Sequence, residues 1–414
     1  MGTTENRQVI RLEASHSISD AERLLAQIHS AGPGADLLAS TDLKDHYFAG
    51  TAAYMQLLIS WCRYCPEGRL RVHVQENDGE HQARAVLERF LKKDYGALAL
   101  ALAGGIWTRG GERQLTDLAR PLLDRRLEEM DDRRKPPWKG PKLYAMCLDE
   151  SWAEAPGMLY RPRESGAPEP EVLGLENFQW LARGISERLA AGSGGGSLAS
   201  SGSLSSMLFE LFRNTHSWAR ADAGGKPYGP SSSARGFRVQ RHDLKVADEE
   251  QIVSSLPPLK DFFSHSQLAP GVDRRHFAEV TVFDSGPGLA ARWRGAPVER
   301  AGDLEAEHSD VRACLRKHFS TSIEEGKGKG LHRVLQDLTA LSAFLWLRCG
   351  RLSLYRDFFA TPYDPEHAAD EPFLLDWTGG IGGPTAAPLT AGTFFTALIP
   401  IGKNFRQETL LTSK

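Results

Sequence analysis

Glu210 and Asn214 stand four residues apart in the run Leu208-Phe209-Glu210-Leu211-Phe212-Arg213-Asn214. Leu208, Leu211 and Phe212 recur at helical spacing, so the run reads as an amphipathic helix with its apolar stripe buried. An i, i+4 pair then sets a carboxylate and a carboxamide on one face, about a turn apart, beside a common ligand. An amide oxygen suits a hard cation such as Mg²⁺, and a carboxylate can orient or deprotonate a water. An exposed Glu/Asn pair on a helix is common, so this pattern alone decides nothing. A second candidate is Asp284 in Glu279-Val280-Thr281-Val282-Phe283-Asp284-Ser285-Gly286-Pro287-Gly288-Leu289. There an apolar strand ends on an acid, followed by alternating glycines. Such an Asp can accept a hydrogen bond from an exocyclic amine like adenine N6. The glycines allow close backbone approach and positive φ. A plain Asp-Ser-Gly turn is the simpler alternative. A third candidate is Glu325-Gly326-Lys327-Gly328-Lys329-Gly330-Leu331, leading into an amphipathic stretch that ends near Phe344. Glycines before a helix N-terminus can cradle phosphate through backbone N–H groups and the helix dipole. The spacing fits neither a Walker A loop nor a dinucleotide-binding fingerprint.

These segments need a helix, a strand and a helix N-terminus to hold them. In the order Glu-x-x-x-Asn helix, D-x-G-x-G, G-x-G-x-G-Leu, they resemble the GHKL (Bergerat-fold) ATPase superfamily of gyrase B, heat-shock chaperone ATPases, histidine kinases and MutL. Leu345 to Tyr355 reads as a β-hairpin turning at Cys349-Gly350. Ala391-Gly392-Thr393-Phe394-Phe395 to Ile399-Pro400 resembles the family's closing strand. The resemblance covers about half the chain.

It implies ATP and Mg²⁺ as cofactors. Glu210 would be the catalytic, water-activating carboxylate and Asn214 the Mg²⁺ ligand. Asp284 would hold the adenine amine, with Gly286 and Gly288 shaping the base pocket and Thr393 supporting Asp284. Gly326, Gly328, Gly330 and Leu331 would border the phosphates, and residues 290–325 would form an ATP lid. No phosphoacceptor His-Glu-x-x-x-Pro helix is present upstream, which disfavours a conventional histidine kinase. Three functions stay open: a slow ATPase acting as a nucleotide-dependent switch, a protein kinase of anti-sigma or sensor type acting on a partner Ser or His, and a non-catalytic nucleotide-binding scaffold.

The rest of the chain reads as α/β. Residues 1–150 form an N-terminal α/β unit with strands at 9–12, 36–42, 69–74 and 143–148, and with helices at 19–28, 49–64, 83–93 and 115–130. The β-α-β-α-β order over residues 8–76 resembles a STAS domain and implies a regulatory unit with a protein partner. Residues 151–174 read as a linker, 175–402 as the ATP-binding sandwich with a mixed sheet covered by helices, and 403–414 as a tail. Residues 224–276 fit no part of the pattern. A formal net charge of -3 does not point to a nucleic-acid partner. No apolar run reaches the roughly 20 residues of a membrane span. With no signal-peptide core the expected compartment is the cytoplasm. The five cysteines are an odd number, and Cys62-x-x-Cys65 closes an apolar helical run, so structural thiols are expected. The resemblance also implies a nucleotide-dependent homodimer.

Overall fold

The computed structural model describes residues 7–12, 17–41, 48–131, 138–149, 157–161, 170–191, 198, 200–229, 233–265, 273–316, 330–364, 374–380 and 383–402. The chain opens with β1 (Val9–Arg11), α1 (Ile18–Ala31), β2 (Asp36–Leu38), α2 (Gly50–Tyr64), β3 (Leu70–Arg71), α3 (Glu80–Leu91), α4 (Asp94–Leu102), β4 (Ile106–Trp107) and α5 (Thr116–Asp131). Ser17, two residues before the expected helix start at 19, caps α1. It forms a capping box in which its side chain accepts from Asp20 N–H and the Asp20 carboxylate accepts from Ser17 N–H. The four strands pair in parallel in the order β1-β2-β3-β4. A sheet that advances one strand at a time by right-handed crossovers gathers its helices on one face.

A second, eight-stranded sheet follows. Its elements are β5 (Trp138–Lys139), β6 (Lys142–Leu148), α6 (Leu175–Ala190), α7 (Ser201–Trp218), β7 (Ala234–Lys245), α8 (Glu249–Ser255), α9 (Leu259–His265), β8 (Arg274–Asp284), α10 (Leu289–Arg294), α11 (Leu304–Leu315), α12 (Gly330–Ala340), β9 (Phe344–Gly350), β10 (Leu352–Asp357), β11 (Leu375–Asp376) and β12 (Thr390–Pro400). The strand order is β11-β10-β9-β12-β8-β7-β6-β5. The expected hairpin is β9–β10, with Leu352 opposite Cys349.

Every described pairing in this sheet is antiparallel, which corrects the expected mixed sheet. β8 and β9 run the same way and are joined by a helical crossover, but β12 inserts between them and pairs antiparallel with both. The expected strand at 143–148 also belongs to this sheet, because β6 pairs with β7 over its whole length. The unassigned 224–276 stretch supplies β7, α8 and α9.

Both faces of the large sheet are buried, by different partners. Alternate residues Phe237, Val282, Leu347 and Phe395 share a core with Leu208, Leu211 and Phe212 of α7 and Val334 and Leu335 of α12. The intervening residues Met146, Phe283, Trp346 and Phe394 join a core that holds the N-terminal helices, including Tyr54, Leu57 and Leu98, together with Phe262 and Phe263 of α9. The N-terminal helices therefore lie between the two sheets. No described helix is long and apolar enough to cross a membrane.

Candidate functional site

Asp284 is the last residue of β8 and points to the α7/α12 side. Its Oδ1 accepts from the backbone N–H of Gly286 at 2.8 Å and of Thr393 at 3.2 Å. Its Oδ2 makes no hydrogen bond to a described residue. Burial raises the carboxyl to about 7, against the opposing pull of those two N–H groups and of the Arg235 charge. Arg235 sits directly opposite Asp284 on β7. Its guanidinium is already engaged by Tyr160 Oη at 2.8 Å and Asp149 at 2.6 Å, so it neutralises Asp284 incompletely. Two glycines make the turn possible. A Cβ on Gly392, at φ +77°, would lie 2.0 Å from the Asp284 carbonyl oxygen. One on Gly286 would lie 2.7 Å from Ala219 Cα.

Ala219 ends α7, so the same helix that touches the 284–288 turn also carries the other two candidates. Ser200 caps α7 by accepting from Ser203 N–H. Glu210 pairs with Arg213 at 2.6 Å. A Cβ on Gly330, the first residue of α12, would come within 2.8 Å of Glu210 Oε2. Asn214 lies between, half-buried, and its carboxamide makes no hydrogen bond to a described residue. From Glu210 to Ala219 the helix rises about 13 Å. The structure thus strings the start of α12, Glu210, Asn214 and the Asp284 turn along one helix.

The remaining candidates divide. Thr393 acts through its backbone N–H on Asp284. Gly288, at φ +89°, packs near Gly350, Cys349 and Gly392 and precedes α10. Leu331 is buried in the α7/α12 core, where it packs α12. Gly326 and Gly328, with Lys327 and Lys329, lie outside the described residues. Of the expected lid, the described residues 290–316 hold most of α10 and all of α11, which pack on the body: Val311 and Leu315 are buried, and Glu307 holds Arg351 N–H at 2.7 Å and Nε at 2.8 Å. The rest of that stretch, 317–325, lies outside the described residues.

The five cysteines are free thiols. Burial pushes Cys62 up to about 12 and Cys65 up to about 11, as structural thiols behave. Among the described residues no three His, Cys, Asp or Glu side chains cluster to hold a metal.

The sequence reading missed Gln56, Ser60, Arg63 and Tyr228. Arg63 donates to the Ser285 carbonyl at 2.9 Å and stacks 3.8 Å over the Tyr228 ring, next to the Asp284 turn. Gln56, Ser60 and Arg63 recur at i, i+4 and i+7 in an otherwise apolar helix. That polar stripe was the available signal. Comparisons with protein-family profiles, curated proteins and solved structures return no match for this chain.

Proposed function

We propose that this chain binds Mg²⁺-ATP between α7, the 284–288 turn and the start of α12, as a GHKL-type (Bergerat) domain, and hydrolyses it slowly as a nucleotide-dependent switch. The observation that carries this reading is the Asp284 carboxylate. One oxygen is fixed by two backbone N–H groups and the other is left unbonded by described residues at the end of a buried strand. A preset acceptor of that kind suits an exocyclic amine. Glu210 and Gly330 meet about 13 Å further along α7, which suits a ligand with a base at one end and phosphates at the other.

Asn214 fits the implied cation, since its carboxamide makes no bond to a described residue. Mg²⁺ is usually held by one or two protein groups plus substrate phosphates, so no dedicated acidic cage is required. When bound it would neutralise phosphate charge. Glu210 would hold the attacking water and take its proton once its carboxylate turns from Arg213. The α12 N-terminus at Gly330, with Gly326 and Gly328, would offer backbone N–H groups to the phosphates. The N-terminal unit, read as STAS-like from its sequence, would be the partner-binding module, and nucleotide binding would favour a homodimer.

The test is incubation of the pure protein with γ-labelled ATP and Mg²⁺, alongside calorimetric titration of ATP. Slow release of free phosphate is expected. Label retained on protein Ser or His would replace the switch by a kinase. Binding without turnover would leave a scaffold, and absence of binding would remove the nucleotide reading.

A further inference from the structure

Between Thr390 and Thr393, strand β12 breaks register against β9. Thr390 faces Gly350 and Thr393 faces the adjacent Cys349, so Ala391 and Gly392 are extra. A bulge of this kind re-aims the chain at the cost of ladder bonds. Here it brings Gly392 N–H onto the Gly286 carbonyl at 2.8 Å and Thr393 N–H onto Asp284. The displaced backbone groups need other partners, and helix α2 of the N-terminal unit supplies them. Ser60 Oγ accepts from Ala391 N–H at 3.0 Å and donates to the Gln56 carbonyl at 2.7 Å. Gln56 Nε2 donates to the Arg348 carbonyl and Thr390 Oγ1, both at 3.1 Å, and to the Gly392 carbonyl at 3.4 Å. Both side chains are fully buried, at 1% and 0% exposure, so water cannot replace them.

We propose that Gln56 and Ser60 are positioning residues of the nucleotide site: from the N-terminal unit they fix the β12 bulge that aims Thr393 N–H at Asp284, and so set recognition of the base edge. The inference rests on the nucleotide reading above. Neither side chain touches the ligand. Ser60 acts through the Ala391 N–H, and Gln56 through the Gly392 and Arg348 carbonyls and the Thr390 hydroxyl. The helix is itself referenced to the same strand as Asp284, because Ala49 N–H at its start donates to the Glu279 carboxylate of β8 at 3.0 Å. Arg63, a turn beyond Ser60, adds the bond to the Ser285 carbonyl. Anything that shifts α2 therefore moves the Asp284 turn, and by linkage a ligand on Asp284 biases the seating of α2.

The experiment compares ATP with ITP, which carries an oxygen in place of the 6-amino group, by calorimetry on the full-length protein. The variants are Ser60→Ala, Gln56→Met and, as a control, Ser30→Ala. Ser30 is an exposed residue of α1 whose hydroxyl bonds only its own helix at Ala26. The wild type should prefer ATP. Ser60→Ala and Gln56→Met, each leaving backbone groups of the bulge unsatisfied, should weaken ATP by roughly tenfold and leave ITP where it was, eroding the preference. The control should match the wild type. Equal losses for ATP and ITP would mark the two residues as merely structural and overturn the proposal, as would unchanged ATP binding in folded variants. Wild-type protein that binds neither nucleotide would instead refute the nucleotide reading itself. Should Gln56→Met fail to fold, Ser60→Ala alone decides, since it removes one oxygen and makes no new contact.

Discussion

Replacing Asp284 with Asn should make the free protein more stable and ATP binding much weaker, and the first effect should depend on pH. Burial raises the Asp284 carboxyl from 3.8 to about 7. Between those values the folded protein keeps a proton that the unfolded chain has released, so stability falls as pH rises through the window. Above about pH 7 the full penalty is in place. At 1.36 kcal/mol per pKa unit it amounts to about 4 kcal/mol. Asn has no such charge. Its Oδ1 can still accept from Gly286 and Thr393 N–H, and its volume is nearly that of Asp. At pH 8 the variant should therefore exceed the wild type by an amount approaching about 4 kcal/mol, less the cost of burying an amide NH₂. Near pH 4 the two should converge. Urea unfolding at both pH values, with equal m-values as the check on two-state behaviour, reads this directly. ATP should bind roughly 10–150-fold more weakly, the worth of one hydrogen bond to a charged acceptor. A variant no more stable than wild type at pH 8 would refute the buried-charge argument. Unchanged ATP affinity in calorimetry would refute the role at the base edge.

Glu210→Ala should still bind ATP but lose ~10²–10⁴-fold in phosphate release, as expected for a missing general base; turnover that survives removes Glu210 from that role. Asn214→Ala should weaken ATP binding in Mg²⁺ by about tenfold or more and leave binding in EDTA nearly unchanged; equal losses would make Asn214 structural. Gly392→Ala forces a side chain into φ +77° and within 2.0 Å of the Asp284 carbonyl, so it should lower stability by more than about 1 kcal/mol in thermal unfolding. Glu279→Gln removes one of the two carboxylates paired with buried Arg238 and leaves Asp94 at 2.9 Å, which should cost about 1–3 kcal/mol in urea unfolding.

Local pattern carried much of this far. The helical spacing of Leu208, Leu211 and Phe212 announced α7. The apolar run ending at Asp284 announced β8, and Cys349-Gly350 marked the hairpin. These features depend on residues within a turn or two of one another. What the sequence hid was long-range. Nothing in residues 390–400 says that β12 enters between β8 and β9, and so the sheet was expected to be mixed. Nothing in Lys142–Leu148 names β7 as its partner, since alternation fixes a strand's faces but not its neighbour. The start of α1 was expected at 19 and not after Ser17 because Ser17 and Ser19 are equally good cap residues, and the side-chain bond to Asp20 decides between them. Asp284 was legible as an acceptor and Thr393 as its support, but not that Thr393 acts through its backbone N–H, aimed by a bulge that α2 holds.

The polar contacts between the N-terminal helices and the large sheet argue that the N-terminal unit and the large-sheet unit are one folded body. The face of the large sheet that the N-terminal helices cover carries Phe283, Phe344, Trp346 and Phe394, an apolar surface too large to stand in water without a partner. Set in it are charges that need the other unit: Arg238 binds Asp94 at 2.9 Å as well as Glu279, and Arg348 binds Glu22 at 2.8 Å. Buried ion pairs add little net stability beside an apolar alternative, but they penalise any wrong register heavily, since a misplaced helix strands a charge. The apolar face therefore supplies the adhesion, and the arginines select one seating of α2, α4 and α1 on the sheet. That seating is the one in which Gln56 and Ser60 reach the β12 bulge. Precision at Asp284 is thus set outside the strands that carry it, and anything acting on the N-terminal unit would not need to reach the Asp284 turn to change its geometry.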